Sequence, residues 1–174
     1  MTRAKISLEV IKRVRDQTGA PIGDVRDALE ASGGDEPKAL AWLKQRSGEL
    51  ADKRQGRSTG QGRVEAYIHH DGRMGALVEV GCETDFVART ADFVQFCKDL
   101  AVHVAAVGPR YLSADEAPAD AGLSAEELKA VCLLQQPFVK DPGTSVGELV
   151  KALIGKTGEN VVIKRFSKFT VGQS

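Results

Sequence analysis

The 174-residue sequence predicts an α+β protein in which an N-terminal three-helix bundle is joined by a linker to a core of antiparallel sheet covered by helices. Three observations predict it. Apolar residues recur at helical spacing through residue 46, apolar content collapses from Ser47 to Gly62, and the period changes to two from Val64 onward. Residues 1–46 are accordingly expected to form a three-helix module, 47–62 a basic linker and 63–174 the α+β core.

Met1–Lys5 leads into an amphipathic pattern in which Ser7 is a candidate cap and Leu8, Val10, Ile11 and Val14 mark one face. Thr18-Gly19-Ala20-Pro21 ends that helix. A second is expected from Ile22 to Ala31, with Ile22, Val25, Ala28 and Leu29 on one side and Gly33-Gly34 as its stop. The third starts at the N-cap Asp35, has Pro37 in its first turn, carries Ala39, Leu40, Trp42 and Leu43, and is expected to run about ten residues. Beyond the linker, Val64, Ala66 and Ile68 alternate with Glu65, Tyr67 and His69. Asp71-Gly72 signals a hairpin, and Met74, Ala76, Val78 and Val80 alternate again. One helical turn is expected over Thr84–Ala88. The stripe Phe93, Cys97, Leu100, Val104 and Val107, ending at Gly108-Pro109, marks a helix that covers the sheet. Ser113 with Glu116, Ser124 with Glu127, and Ser145 with Glu148 have capping-box spacing, so a helix is expected after each. The β-branched and aromatic run Val161–Val171 is expected to return to the sheet as a strand.

Lys plus Arg is 24 and Asp plus Glu is 24, a balance that excludes a polycationic nucleic-acid binder as a description of the whole chain. The charge is unevenly spread: residues 1–63 sum to +4, 64–107 to −4, 108–141 to −3 and 142–174 to +3. Cys82, Cys97 and Cys132 are odd in number and lack Cys-x-x-Cys spacing, which argues for reduced buried thiols over a disulfide framework or a zinc site. With no apolar run of the roughly 18 residues a bilayer needs, a cytoplasmic location without membrane contact is expected.

Enzymatic chemistry finds little support. His69 and His70 are adjacent, so on a strand they point to opposite faces and do not share an ion. Gly155-Lys156-Thr157 looks like the end of a phosphate loop, but Val150 stands where the pattern needs glycine, and the tripeptide follows a helical pattern. No catalytic residue, cofactor or metal is expected. The basic stretch 44–63 has no aromatic side chain to stack a base and reads as a solvated linker, so no direct nucleic-acid contact is expected there. The unusual segment is Glu83-Thr84-Asp85-Phe86-Val87-Ala88, an acid beside a large aromatic on a short turn. Two readings stand: Thr84 caps the turn while Phe86 packs inward, or Phe86 is an exposed wedge of the kind that anchors interfaces.

Four strings then bring a family into view: Arg15–Asp24, Glu79–Ala88 with its Thr-Asp-Phe-Val core, Gln136-Pro137-Phe138-Val139, and Lys156–Asn160 through Arg165-Phe166. In this order they resemble the translation elongation factor Ts family, in its short form. The resemblance implies guanine nucleotide exchange on elongation factor Tu, without covalent chemistry. It implies that the N-terminal module, similar to ubiquitin-associated domains, docks on the GTPase through Arg15, Ile22 and Gly23. Thr84, Asp85, Phe86 and Val87 insert between helices of the GTPase and displace elements that hold magnesium, and Thr157 and Gly158 approach it from a loop. A homodimer is also implied. The rival readings are a protein-binding adaptor that uses the three-helix module, and an RNA-binding protein that acts through the basic linker.

Overall fold

The computed structural model describes residues 6–118 and 122–173; the expectation for Met1–Lys5 lies outside them. The chain divides into two units. One comprises the chain up to Gln55 with Lys151–Gly158, the other Gly56–Val150 with the chain from Glu159.

In the first unit, helices form where the ends of the helical patterns are capped. The Ser7 hydroxyl accepts from Val10 N–H (3.3 Å) to start α1, Leu8–Thr18, and Gly19 at φ 65 closes it. Helix α2, Ile22–Ala31, opens behind Pro21 without a side-chain cap. Helix α3 begins at Glu36, where Asp35 accepts from Lys38 N–H at 3.0 Å. Ile11, Val14, Val25, Ala28, Leu29, Ala39 and Leu43 form the buried centre. Ile22, expected on the apolar side of α2, is exposed.

Helix α3 continues to Arg54, through eight residues expected to be linker. A solvated helix needs no apolar stripe: Gln45 bonds Glu49 at 3.1 Å, Arg46 lies 3.8 Å from Glu49, and Lys53 and Arg54 complement the dipole at the last turn. Gly155 of the helix Val146–Thr157 lies so close to Ser47 that a Cβ would overlap the serine side chain. That glycine is a packing residue, which accounts for the phosphate-loop-like tripeptide.

The second unit is built on a three-stranded antiparallel sheet of β1, Gln61–Ile68, β2, Met74–Cys82, and β5, Val161–Thr170, with β2 in the centre. The inner face of β2 (Ala76, Val78, Val80, Cys82) is buried beneath α5, Ala91–Val107, whose Phe93, Cys97, Leu100, Ala101 and Val104 are fully buried. Each large apolar side chain so buried contributes about 1.5–3 kcal/mol. Val107, expected on that stripe, is 45% exposed. At Gly62 (φ 150) a Cβ would overlap the Val80 carbonyl oxygen, so the strands pair there only because the residue is glycine.

Two alternations invert the simplest reading. On β1 it is Val64 and Ile68 that face outward, while Glu65 and Tyr67 are half-buried on the α5 side. On β5 the register slips at Lys164: Val80 pairs with Ile163 and Glu79 with Arg165. This bulge turns Val161, Ile163 and then Phe166 inward and leaves Phe169 and Val171 exposed.

Two of the three expected capping boxes form. Ser124 and Glu127 exchange bonds of 2.8 and 3.3 Å to open α6, Ala125–Val131. Ser145 and Glu148 exchange bonds of 2.9 and 3.2 Å to open α7, Val146–Thr157. At Ser113 only a short 3-10 turn, Ala114–Glu116, forms, because Glu116 reaches past Ser113 to the N–H of Leu112 at 3.0 Å. A small hairpin of β3, Pro137–Phe138, and β4, Asp141–Ser145, was not expected. His69 and His70 follow the strand instead of lying on it, and their rings meet edge to face at 4.2 Å. Among the described residues no group of three or more His, Cys, Asp or Glu is arranged to hold a metal, and no helix is long and apolar enough to cross a membrane. All three cysteines are free and buried; burial pushes the Cys97 thiol up to about 12, and raises those of Cys82 and Cys132.

The β3 end is tied to α5 through His103, which is fully buried. Its Nδ1 accepts from Val139 N–H (3.2 Å), so Nε2 carries the proton and donates to Gln136 Oε1 (2.9 Å). Gln136 in turn donates to the Ala130 carbonyl at 2.6 Å, and Phe138 stacks on the imidazole at 5.6 Å. Burial holds the imidazole below the ordinary histidine range, opposed by the Gln136 bond. The unfolded chain protonates His103 near about pH 6.5, where the folded chain does not, so this contribution is full above that pH and lost as pH falls through the depressed folded value. The expected outcome is a lower urea midpoint at pH 5.5 than at pH 7.5, with a smaller difference in His103→Gln; an equal difference in that variant assigns the slope to other groups.

Candidate partner-docking site

The unusual acid-aromatic segment follows the last residue of β2. Glu83 and Thr84 leave the sheet, and Asp85–Ala88 form a single helical turn, α4. Thr84 starts the turn by accepting from Val87 N–H at 3.3 Å, as its position at the head of the segment predicts. Thr90 closes it: its hydroxyl donates to the Val87 carbonyl (2.8 Å) and accepts from Phe93 N–H (3.3 Å), which also caps α5. Val87 and Ala88 are buried, so the turn is fastened from below.

Phe86 is 80% exposed. Of the two readings left open by the sequence, the inward-packed one is therefore excluded. A folded chain keeps so large an aromatic in water only where packing elsewhere dictates it, and here the flanking Thr84 and Val87 are consumed on the inner side. Asp85 beside it is half-buried and lies 2.9 Å from Arg89 one helical turn on.

Below the turn, Glu83 and Thr84 of the unusual segment meet Glu159 and Asn160 of the Lys156–Asn160 string, a pairing the sequence did not predict. The Glu159 carboxylate accepts from Thr84 N–H (3.0 Å) and from the Thr84 hydroxyl (2.6 Å). The Glu83 carboxylate accepts from Asn160 N–H (2.7 Å) and faces Arg57 at 3.4 Å, while the Asn160 amide donates to the Arg57 carbonyl (3.0 Å). Thr59 is buried too, so residues expected to be free linker are built into this unit. The Cys82 thiol donates to the Thr84 carbonyl at 3.1 Å. A signal for this set was present in the sequence: one acid directly after a strand and another two residues before one.

The remaining site candidates belong to the first unit. Arg15 lies in the last turn of α1 and is exposed, and Ile22 and Gly23 open α2, both exposed. Nothing lies within 4 Å of where a Gly23 Cβ would stand, so a larger side chain is accommodated there without a clash. The Thr157 hydroxyl is engaged by the Leu153 carbonyl at 2.8 Å, and Gly158 (φ 73) ends α7 with its N–H on the Ile154 carbonyl.

The α+β chain with a bare aromatic on a fastened turn falls in the class of translation elongation factors. The family model for elongation factor TS matches residues 39–128, which include the turn. The chain is 41% identical to elongation factor Ts of Rubrobacter xylanophilus, covering 93% of this chain and 97% of that one. It is 38% identical to elongation factor Ts of Solidesulfovibrio magneticus over 97% and 98%, and 38% identical to that of a Synechococcus species over 98% and 91%. The chain belongs to the elongation factor Ts family.

Replacing the Thr84 hydroxyl tests the fastening of the turn. Thr84→Val removes the cap and leaves Glu159 short of a donor, so a stability loss of about 1–2 kcal/mol is expected in urea denaturation, with Thr84→Ser close to wild type. Equal midpoints for the two variants are the contrary result.

Proposed function

We propose that the chain is a guanine nucleotide exchange factor for elongation factor Tu, working in the cytoplasm without covalent chemistry or a cofactor. The observation that carries this reading is Phe86, 80% exposed on a turn held at both ends, beside Asp85. The turn enters the GTPase, where Asp85 and Phe86 displace elements that hold magnesium, while Thr84 and Val87, engaged on the inner side, shape the turn. Magnesium offsets the charge of the GDP phosphates, so GDP then leaves faster. The factor acts by preferring the empty state of its partner, and the coupling is reciprocal: whatever it does to GDP affinity, GDP does to its affinity. Incoming GTP therefore expels it. Residues 1–46 serve as the docking module through Arg15, Ile22 and Gly23, and Thr157, the last residue of α7 where a loop was expected, adds a contact together with Gly158 behind it.

The RNA-binding alternative is disfavoured by the pairing of its basic residues: Arg46 faces Glu49, Arg57 faces Glu83, and Arg63 faces Glu65. A homodimer is supported by the open face of the sheet, where Val64 and Ile68 of β1, Leu77 of β2, and Phe169 and Val171 at the β5 end are all exposed. Three strands contribute to one apolar face, a form suited to packing against its own copy about a two-fold axis.

Release of labelled GDP from elongation factor Tu tests the exchange reading. Phe86→Ala is expected to slow factor-dependent release by tenfold or more, equivalent to about 1.4 kcal/mol of coupling, while its urea midpoint stays within about 0.5 kcal/mol of wild type because the side chain is exposed. A wild-type chain that leaves the release rate unchanged is an adaptor instead. For the dimer, Phe169→Glu is expected to convert a dimer to a monomer in sedimentation equilibrium; a monomeric wild type, or a variant that stays dimeric, contradicts it.

A further inference from the structure

The backbone ladder between β2 and β5 ends at the pair Cys82 and Val161. Past that rung the two chains stay joined through their side chains. Glu83 and Thr84 leave one strand, Glu159 and Asn160 approach the other, and each glutamate accepts the backbone N–H of the residue that follows the other glutamate, at 3.0 Å for Thr84 and 2.7 Å for Asn160. Two carboxylates in one half-buried cluster repel each other and raise the cost of burying either, so cohesion alone does not account for them. What a carboxylate provides that a neutral acceptor does not is two equivalent oxygens. Glu159 uses one on the Thr84 N–H and the other on the Thr84 hydroxyl.

That second bond sets the hydroxyl rotor. With its hydrogen committed to Glu159 at 2.6 Å, the Thr84 oxygen can only present a lone pair to Val87 N–H, which it meets at 3.3 Å. The order of contacts is thus Glu159, Thr84 hydroxyl, Val87 N–H, and the turn from which Phe86 projects. We infer that Glu159, seconded by Glu83, is a positioning residue: it prepares the α4 turn so that Phe86 is presented to the GTPase in its docking geometry without an ordering cost on binding. This rests on the exchange reading above and adds to it a residue that acts through the Thr84 cap.

Glu159→Gln keeps the size of the side chain but puts an amide N–H₂ where one of the two accepting oxygens stood, so with its oxygen on the Thr84 N–H it offers the hydroxyl a donor instead of an acceptor and no longer sets the rotor. Factor-dependent GDP release is expected to slow by about tenfold, the scale of one lost charge-assisted hydrogen bond. In the Phe86→Ala background the same change is expected to have no further effect, because there is no longer an aromatic to position. A merely structural role gives the same factor in both backgrounds. Glu83→Gln is the second variant: it disturbs the other half of the crossing, and a smaller loss with the same dependence on Phe86 is expected. A release rate that responds to Phe86→Ala while Glu159→Gln is silent, or multiplies equally in both backgrounds, overturns the positioning role alone. A rate indifferent to Phe86→Ala overturns the exchange reading and this inference with it.

Discussion

The second unit depends on the pairing of β2 on both edges. A strand whose inner face is entirely apolar is stable only when buried, and a buried strand must have its N–H and C=O groups bonded on both sides. One edge is supplied locally by β1 through a short hairpin. The other is supplied by β5, about eighty residues further along the chain, so this closing contact is also the one with the largest loop to bring together. Once β5 is seated, Glu159 and Asn160 arrive beside Glu83 and Thr84 without further adjustment.

The α4 turn is therefore a by-product of strand pairing, and it is fastened from below. Val87 and Ala88 are in the core, Thr84 and Thr90 close the backbone at each end, and only Phe86 and the half-buried Asp85 look outward. The zero net charge of the chain gives no hint of this. In its acidic middle, Glu83 accepts from Asn160 N–H and is offset by Arg57, and Asp85 pairs with Arg89; Glu159, from the basic C-terminal segment, completes the crossing at Thr84. A charge sum therefore does not separate an acid such as Glu83, which bonds the backbone of a neighbouring strand end, from exposed ones such as Asp92 or Asp141.

Much of the fold is legible in the sequence because its signals are local. Ser7, Asp35, Ser124 and Ser145 cap helices through bonds to residues three along, and the hairpin signal at Asp71-Gly72 lies between two alternating runs. What escaped depends on partners far away in the chain. The extension of α3 is carried by ion pairs and hydrogen bonds on a solvated surface, where hydrophobic periodicity is silent. The inversion of β1 and the bulge at Lys164 follow from which face α5 covers, and a strand's own alternation cannot tell the two faces apart. Of the candidate site, Thr84 as the cap was readable. The outward stance of Phe86 was left undecided, since it depends on Val87 and Ala88 taking the inner positions. Glu159 was invisible as a partner of Thr84 because 75 residues separate them.

The three buried thiols have a use that concerns measurement more than mechanism. Thiolate is the reactive form, and burial keeps Cys97 protonated up to about 12, so a thiol reagent at neutral pH modifies it only in molecules that have opened. Cys82 lies against Thr84 at the head of the α4 turn, Cys97 in the middle of α5, and Cys132 beside the helix α6. The chain thus carries three native chemical clocks, each timing the opening of a different region, and the one at Cys82 runs at the pace of the turn that presents Phe86.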